Sequence, residues 1–191
     1  IIGAGPSGLS CAYFLRQAGF AVEIFESKAA AGGMVYDAIP GFRMKMDLLD
    51  KDIDRIINLG VKIHFNSKID SQAFDRLRKE FDYVYIGAGA QRFRSLQMKG
   101  DDAIGILNPH EFLKDAKAGR TKDPGNNILV IGGGNTAIDV ARTAKSLSGK
   151  YASVKVLYRR TRAEMPADRE EIEELLAEVI ELLELLSPEK I

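Results

Sequence analysis

The chain has 191 residues, of which 46% are hydrophobic and 28% are charged, a composition typical of globular domains. Lysine plus arginine and aspartate plus glutamate number 27 each, so no net field attracts nucleic acid or an anionic membrane, and we expect neither as a partner. One cysteine, Cys11, excludes an internal disulfide, a C-x-x-C redox pair and a cysteine-ligated iron–sulfur cluster within the chain. With no secretory signal and no run of 18 apolar residues, we expect a cytoplasmic location.

The first residues carry a glycine pattern, G-x-G-x-x-G, at Gly3, Gly5 and Gly8. Gly3 permits a tight turn, Gly5 lets the backbone approach a pyrophosphate, and Gly8 lets a helix pack closely on the strand. The helix predicted over residues 6–17 directs its free N–H groups at the phosphates. Glu26 ends the next predicted strand, at 21–25, where its carboxylate can accept hydrogen bonds from both ribose hydroxyls. Together these features predict a dinucleotide site.

Alternating helices and strands are predicted to follow this motif. Small residues, with Gly32 and Gly33, predict a loop at 27–34 beneath a second part of a large cofactor, and a further loop at 36–46. Asp47 is predicted to cap a helix that ends near Leu59. The glycines of residues 87–90 predict a close backbone approach or a sharp turn. The other predicted elements are strands at 61–65 and 83–86 and helices at 71–80 and 109–117.

A second glycine pattern, G-x-G-x-x-A, begins at Gly132, after a predicted strand at 127–131, and opens a helix to about Leu147. A polar segment at 118–126 carries the turn residues of a linker, so we predict one domain at 1–118 and another at 127–191. The fold predicted by the repeated βαβ unit is α/β, with two Rossmann-like nucleotide-binding domains, the second inserted in or following the first. Because Ile1 already lies in a strand, we expect a piece of a longer protein that is cut at its N-terminus.

The strand predicted at 153–158 is followed by Arg159, Arg160 and Arg162 instead of an acid. A carboxylate would repel a 2′-phosphate, whereas arginines bind it with paired hydrogen bonds, so the second site favours NADPH over NADH. One acidic and one basic site in a single chain predict FAD and NADPH, with hydride transfer between them. We therefore expect no acid–base dyad, and the missing C-x-x-C argues against a disulfide reductase.

Several strings of this sequence resemble the FAD/NADPH module of the glutamate synthase small (β) subunit. Dihydropyrimidine dehydrogenase and ferredoxin-linked NADPH oxidoreductases share this module, and the resemblance covers essentially all 191 residues. The most specific string is the run from Tyr158 through Arg159 and Arg160 to Met165-Pro166-Ala167. The other strings are GAGPSG at 3–8, AGGM at 31–34, IPGFR at 39–43 and IGGGNTAID at 131–139.

The resemblance implies roles for particular residues. Ala4 to Ser7 would hold the FAD pyrophosphate and Glu26 its adenosine ribose, with Ile69 near the adenine. Gly133 to Thr136 would hold the NADPH pyrophosphate. The predicted cofactor residues are Gly3, Ala4, Gly5, Pro6, Ser7, Gly8, Glu26, Gly33, Met34, Arg43, Ile69 and Gly89 for FAD, and Gly132, Gly133, Gly134, Asn135, Thr136, Arg159, Arg160 and Arg162 for NADPH. No catalytic side chain and no metal ligand is predicted.

The resemblance also implies that such proteins continue past the last residue, so we expect the chain to be truncated at both ends. Pro166 is predicted to start a helix, and periodicity alone would continue that helix to about Leu186. The resemblance instead implies a helix to about Ala177 and then an extended segment, although Val179 stands where the family usually has a glycine.

The leading functional hypothesis is an NADPH-oxidising flavoprotein module that passes electrons to iron–sulfur clusters or to a partner subunit or domain. One alternative is a nucleotide-binding subunit that docks to a partner without turnover of its own. The other alternative is a stand-alone ferredoxin–NADP reductase.

Overall fold

Two units make up the chain, residues 1–92 and residues 93–191, and each is organised around a parallel sheet. The computed structural model describes residues 1–90, 98–121 and 123–190. The predicted α/β class with parallel nucleotide-binding sheets is confirmed. Within the described residues, none of the helices combines the length and the hydropathy needed to cross a membrane.

The first unit pairs β1 (Glu23–Phe25) with β2 (Lys62–His64) in parallel. The start of the chain extends this sheet, because Ile2 forms parallel bridges with both Phe25 and Ile86. The described residues of this unit also form four helices: α1 (Pro6–Gln17), α2 (Gly33–Asp37), α3 (Met46–Asn58) and α4 (Ser71–Glu80).

The core of the first unit forms where α1 and α3 pack together beside the sheet. Leu9 and Ala12 of α1, Ile24 of β1 and Ile53 of α3 are buried there. Truncating a buried side chain of this kind to alanine typically costs about 2–5 kcal/mol. This packing holds the first turn of α1 against the carboxyl end of the sheet.

The second unit has three parallel strands in the order β3–β4–β5: β3 (Asn127–Ile131), β4 (Ser153–Tyr158) and β5 (Glu181–Glu184). Its helices are α5 (Pro109–Lys117), α6 (Asn135–Leu147) and α7 (Arg169–Ala177), with a 3₁₀ turn at Arg162–Glu164. Alternate residues of β4, among them Val154 and Val156, are buried in one core cluster with Ile138 of α6 and Leu175 of α7.

Arg142 of α6 joins that helix to α7. Its largely buried guanidinium pairs with Glu171 at 3.0 Å, Glu174 at 2.6 Å and Glu178 at 2.9 Å. Burial would lower the pKa of Arg142, but hydrogen bonds and charge from Glu178 and Glu174 outweigh it and raise the pKa. This cluster therefore ties α6 to α7 along the length of α7.

Several helices and strands begin and end at the residues predicted from the sequence. Helices α1, α4 and α5 and strands β3 and β4 have the predicted ends. Helix α7 ends at Ala177 and an extended strand follows, as the resemblance implied, and Val179 takes a φ of +61° at the break.

Several local predictions were wrong. The predicted loops at 27–34 and 36–46 contain the start and the end of α2, a helix too short to show periodicity. Asp47 lies in the first turn of α3 and is not its cap, because the helix already begins at Met46. The strand predicted at 83–86 is reduced to a bridge at Ile86. Pro166 precedes α7 by three residues, and the Ala167 N–H donates to the Gly133 carbonyl oxygen.

The boundary between the two compact units also differs from the predicted linker. It falls between residues 92 and 93, so α5 belongs to the second unit and contacts α6. The sequence placed the boundary near residue 118 because polar turn residues cluster there.

Candidate nucleotide sites

The first glycine turn leads from the sheet into α1. Gly3 has a φ of +98°, a conformation that glycine adopts without strain. Its N–H donates to the Phe25 carbonyl oxygen at 2.8 Å, which fixes the turn to the end of β1. Gly5 is the residue before α1 and has an extended backbone, with φ −77° and ψ 179°. The first N–H groups of α1 have no partner within the helix, so they are available to an anion.

An open cleft of about 350 Å³ lies beside this turn, entirely within the first unit. The predicted FAD residues that line it are Gly3, Gly5, Pro6, Ser7, Glu26, Gly33, Met34, Ile69 and Gly89. Ala4 and Gly8 are buried and do not line this cleft. Arg43, which is half-buried, is likewise outside its lining. The fold thus brings together nine residues that span 87 positions of sequence.

Glu26 is buried at the end of the cleft and is already hydrogen-bonded. Its carboxylate accepts from the Ala4 N–H at 2.7 Å, the Lys28 N–H at 2.8 Å and the Ser27 hydroxyl at 3.1 Å. An ionised carboxylate has about four acceptor positions, so one position remains beside these three bonds. One acceptor position of the Glu26 carboxylate is therefore left for a ligand, whereas the sequence predicted hydrogen bonds from two ribose hydroxyls.

The paired glycines of residues 32 and 33 bring α2 against the first turn. The Gly32 N–H donates to the Ala4 carbonyl oxygen at 2.7 Å, and a Cβ added at Gly33 would lie 2.8 Å from the Gly5 Cα. Lys28, which also lines the cleft, forms an ion pair with Asp37 at the end of α2.

Ser7 and Tyr85 meet at the mouth of the first turn. Their hydroxyl oxygens are 2.7 Å apart, so Tyr85 orients the Ser7 side chain. Sequence analysis assigned no role to Tyr85, because nothing in the pattern marks a partner 78 residues away.

The second glycine turn repeats this geometry between β3 and α6. Gly132 has a φ of +138°, and its N–H donates to the Leu157 carbonyl oxygen at 3.0 Å. Gly134 precedes α6 with an extended backbone, φ −92° and ψ 171°. Gly133 packs under the ring of Tyr158: a Cβ added there would lie 2.6 Å from that ring. The turn is thus closed on one side by an aromatic ring and open at Gly134.

The three predicted arginines, Arg159, Arg160 and Arg162, are exposed on the loop that follows β4. The loop backbone is held from two sides. The Leu185 N–H donates to the Arg160 carbonyl oxygen at 3.2 Å, and the Glu184 carboxylate accepts from the Arg162 N–H. Three guanidinium groups are therefore presented to solvent from a backbone fixed by the end of β5.

Glu164 fixes the other side of the arginine loop. Its carboxylate accepts from the hydroxyl of Thr161 at 2.8 Å and from the N–H of Thr161 at 3.1 Å, which forms a capping box. These hydrogen bonds, together with the charge of Arg160, lower the pKa of the Glu164 carboxyl.

Asn135, a predicted NADPH residue, is paired with Asp168. The Asn135 side-chain amide donates to the Asp168 carboxylate at 3.0 Å, and the Asp168 N–H donates to the Asn135 side-chain oxygen at 3.0 Å. Sequence analysis missed Asp168, because it expected the helix to begin at Pro166; an aspartate directly before a helix was the available signal.

Both turns fit the cofactors predicted for them. A Cβ at Gly5 would find its nearest described heavy atom, the Gly33 Cα, at 3.9 Å, and a Cβ at Gly134 would meet no described atom within 4 Å. The backbone at both positions is therefore open to a closely approaching pyrophosphate. The first strand end supplies a carboxylate, and the second supplies guanidinium groups. Fold and sites together define a two-nucleotide oxidoreductase.

Comparison with known proteins agrees with this class. The model of the pyridine nucleotide-disulphide oxidoreductase family matches residues 1–183, and the chain belongs to that family. FAD and NADPH, the predicted cofactors, are cofactors of this family.

Two curated relatives are similar along nearly the whole chain. NADPH-Fe(3+) oxidoreductase subunit beta of Geobacter sulfurreducens is 38% identical over 179 residues, covering 91% of this chain and 26% of that protein. The glutamate synthase small chain (NADPH) of Azospirillum brasilense is 29% identical over 202 residues, covering 99% of this chain and 42% of that protein. The resemblance to the glutamate synthase module is thereby confirmed. This chain spans less than half the length of either relative.

Among solved structures, Mycobacterium tuberculosis FprA in complex with NADPH superposes with a TM-score of 0.75 at 21% identity. The match covers 92% of this chain and 46% of FprA. At this identity the likeness concerns the fold.

Proposed function

We propose that the chain is the FAD- and NADPH-binding module of a flavin-dependent oxidoreductase of the glutamate synthase small-subunit type. In this proposal electrons pass from NADPH through FAD to iron–sulfur clusters on a partner subunit or another domain, in the cytoplasm. The observation that carries it is the contrast between the two strand ends: a buried Glu26 after β1, and exposed Arg159 and Arg160 after β4.

The first cleft is the proposed FAD site. The N–H groups at the start of α1 would bind the pyrophosphate, with Gly5 admitting it to the backbone. Glu26 would accept from a ribose hydroxyl with its remaining acceptor position. Gly33 and Met34, which line the same cleft, would contact the cofactor along its length. Arg43 is proposed as an FAD residue from the resemblance, with a position outside the cleft lining.

The second turn is the proposed NADPH site. The first N–H groups of α6 would bind the pyrophosphate beside Gly134. Arg159, Arg160 and Arg162 would bind the 2′-phosphate through charge-assisted hydrogen bonds, which makes NADPH preferred over NADH. When both cofactors are bound, their own chemistry is hydride transfer from the nicotinamide to the flavin. The residues of this chain bind and align the cofactors and are not proposed as acids or bases.

The proposed electron acceptor is outside this sequence. An iron–sulfur cluster is held by several cysteines, and Cys11 is the one cysteine here. The Geobacter relative is named as a subunit, which supports a partner that carries the acceptor. FprA shares the fold but not enough sequence to favour a stand-alone reductase.

The test is an anaerobic titration of the purified chain, reconstituted with FAD and freed of excess cofactor. We expect a bound-flavin absorption spectrum that bleaches on addition of NADPH and bleaches far more slowly with NADH. Omitting FAD provides the control for bleaching that does not depend on flavin. A protein that retains no FAD after reconstitution, or one that responds equally to both nicotinamides, would contradict the proposal.

A further inference from the structure

The segment that connects the arginine loop to α7 crosses directly over the second glycine turn. The Tyr158 hydroxyl donates to the Glu164 carbonyl oxygen at 3.0 Å, and the Ala167 N–H donates to the Gly133 carbonyl oxygen at 3.1 Å. Met165 and Ala167 are both buried in the core of the second unit. These contacts leave the next residue, Asp168, beside the start of α6.

Asp168 and Asn135 form a reciprocal pair at that position. Each contributes one donor and one acceptor, and both hydrogen bonds are 3.0 Å long. Asn135 is the first residue of α6, where the proposed pyrophosphate would bind. Its side-chain amide and oxygen are thus both engaged with Asp168. These two hydrogen bonds favour a role for Asn135 in positioning the turn over a role as a direct ligand of the cofactor.

The charge of Asp168 has a second consequence. Its carboxylate is exposed and lies within one hydrogen bond of the residue that opens α6. A negative charge near a proposed pyrophosphate site repels that anion, by an amount that salt reduces. Asp168 therefore has two opposing effects on a bound dinucleotide: it orients the turn, and it weakens anion binding.

We propose that Asp168 controls the affinity of the second site for NADPH, by orienting Asn135 through the reciprocal pair and by limiting the affinity through its charge. This inference rests on the proposed NADPH function of the second turn. It assigns Asn135 a positioning role and makes Asp168 its partner.

Two neutral substitutions separate orientation from charge. Asp168→Asn removes the charge but retains a side-chain oxygen for Asn135 and leaves the backbone N–H in place. Asp168→Ala removes the charge and the acceptor together. We expect the full chain carrying Asp168→Asn to bind NADPH about two- to threefold more tightly than the wild type at low salt, with the gain reduced at high salt. Asp168→Ala should bind NADPH roughly fivefold more weakly than Asp168→Asn, because the difference reports the lost hydrogen bond.

Asn135→Ala distinguishes positioning from direct contact. If Asn135 acts through the pair, the double variant Asn135→Ala with Asp168→Ala should bind NADPH no more weakly than Asn135→Ala alone. Additive losses in the double variant would overturn the positioning role. Binding is measured by calorimetric titration with NADPH at two salt concentrations, with thermal unfolding of each variant as the check on folding.

The outcomes also separate this inference from the function on which it rests. A wild-type chain that binds no NADPH would contradict the proposed function. A wild-type chain that binds NADPH, together with Asp168→Asn and Asp168→Ala variants of equal affinity, would overturn the inference and leave that function in place. Unchanged affinity in Asp168→Asn at low salt would overturn the effect assigned to the charge.

Discussion

The two glycine turns share one backbone geometry, but a different residue follows the end of the strand to which each turn is hydrogen-bonded. Gly3 donates to Phe25 in the first unit, and Gly132 donates to Leu157 in the second, which makes these pairs equivalent. The next residue is Glu26 in the first unit and Tyr158 in the second. In the first unit the Ala4 N–H is bonded to the Glu26 carboxylate; in the second, Gly133 leaves room for the Tyr158 ring.

This difference explains how one motif can favour two cofactors. A buried carboxylate at the strand end provides an acceptor for a ribose hydroxyl and repels a 2′-phosphate. A tyrosine ring in the same place carries no charge, and the arginines begin at the following residue. In the second unit, the position that Glu26 occupies in the first is thus filled by the Tyr158 ring, which packs against Gly133. Each prediction below changes one unit and uses the other as its reference.

The largest expected effect concerns the contact between helix and turn. A Cβ added at Gly8 would lie 1.9 Å from the Gly3 carbonyl oxygen, whereas the equivalent residue of the second unit is already Ala137. Gly8→Ala should destabilise the first unit by about 3 kcal/mol, because the backbone of α1 must move. Ala137→Gly is the matched control and should cost about 1 kcal/mol. Urea unfolding measures both, and equal losses would contradict the difference in packing.

The arginine loop should decide the choice between nicotinamides. Arg159→Gln or Arg160→Gln should weaken NADPH binding roughly tenfold to hundredfold, since each removes hydrogen bonds to a charged group, about 1.5–3 kcal/mol. NADH binding should not change. Arg120→Gln is the control, because Arg120 is an exposed arginine of the same unit that pairs with Asp115. Affinities for both nucleotides are measured by titration; a parallel loss for NADH would refute the assignment of these arginines to the 2′-phosphate.

The ion pair between Lys28 and Asp37 is expected to have a smaller effect, confined to the first unit. Lys28→Met should weaken FAD binding about fivefold, because α2 loses its link to the strand end and a half-buried ion pair is worth about 1 kcal/mol. Lys28→Arg should retain most of the affinity. FAD fluorescence titration compares the two variants; an equal affinity in both would mean that the ion pair does not support the site.

The smallest effect is the pH response of the arginine loop. Hydrogen bonds from Thr161 lower the pKa of the Glu164 carboxyl. The capping box therefore stabilises the folded loop at pH values above the ordinary glutamate pKa. This stabilisation is lost as the pH falls through the lowered pKa of Glu164. Thr161→Ala should raise the Glu164 pKa towards its ordinary value. An NMR titration of the Glu164 carboxyl carbon measures the shift, and an unchanged pKa would show that Thr161 does not set it.

Much of this organisation could be predicted from local sequence. Both glycine turns, the helices α1, α4 and α5 and the arginines after β4 depend on neighbouring residues, and their positions were predicted directly. The short helix α2 was missed because five residues are too few to show a helical period. Its beginning depends on Gly32, whose φ of +107° is set by packing against the first turn.

Contacts between distant residues account for the rest. The pair of Asn135 with Asp168 joins positions 33 residues apart, and the Arg142 pair with Glu178 joins positions 36 apart. A local pattern can mark Asp168 as a residue before a helix, but it does not show which side chain it will meet, because such pairs form only when α6 and α7 pack on the same core. The same holds for Tyr158, whose place opposite Gly133 follows from strand register and not from its neighbours in sequence.

The proposal that the first turn binds FAD and the second binds NADPH is tested most directly with the variants Gly5→Ala and Gly134→Ala. Both glycines have extended backbones that alanine adopts, and both have open space for a Cβ. The affinities of each variant for FAD and for NADPH are measured side by side. We predict that Gly5→Ala loses FAD binding at least tenfold while it keeps NADPH binding, and that Gly134→Ala does the reverse. Loss of both cofactors in either variant, or exchange of the two effects, would contradict the assignment of one cofactor to each turn.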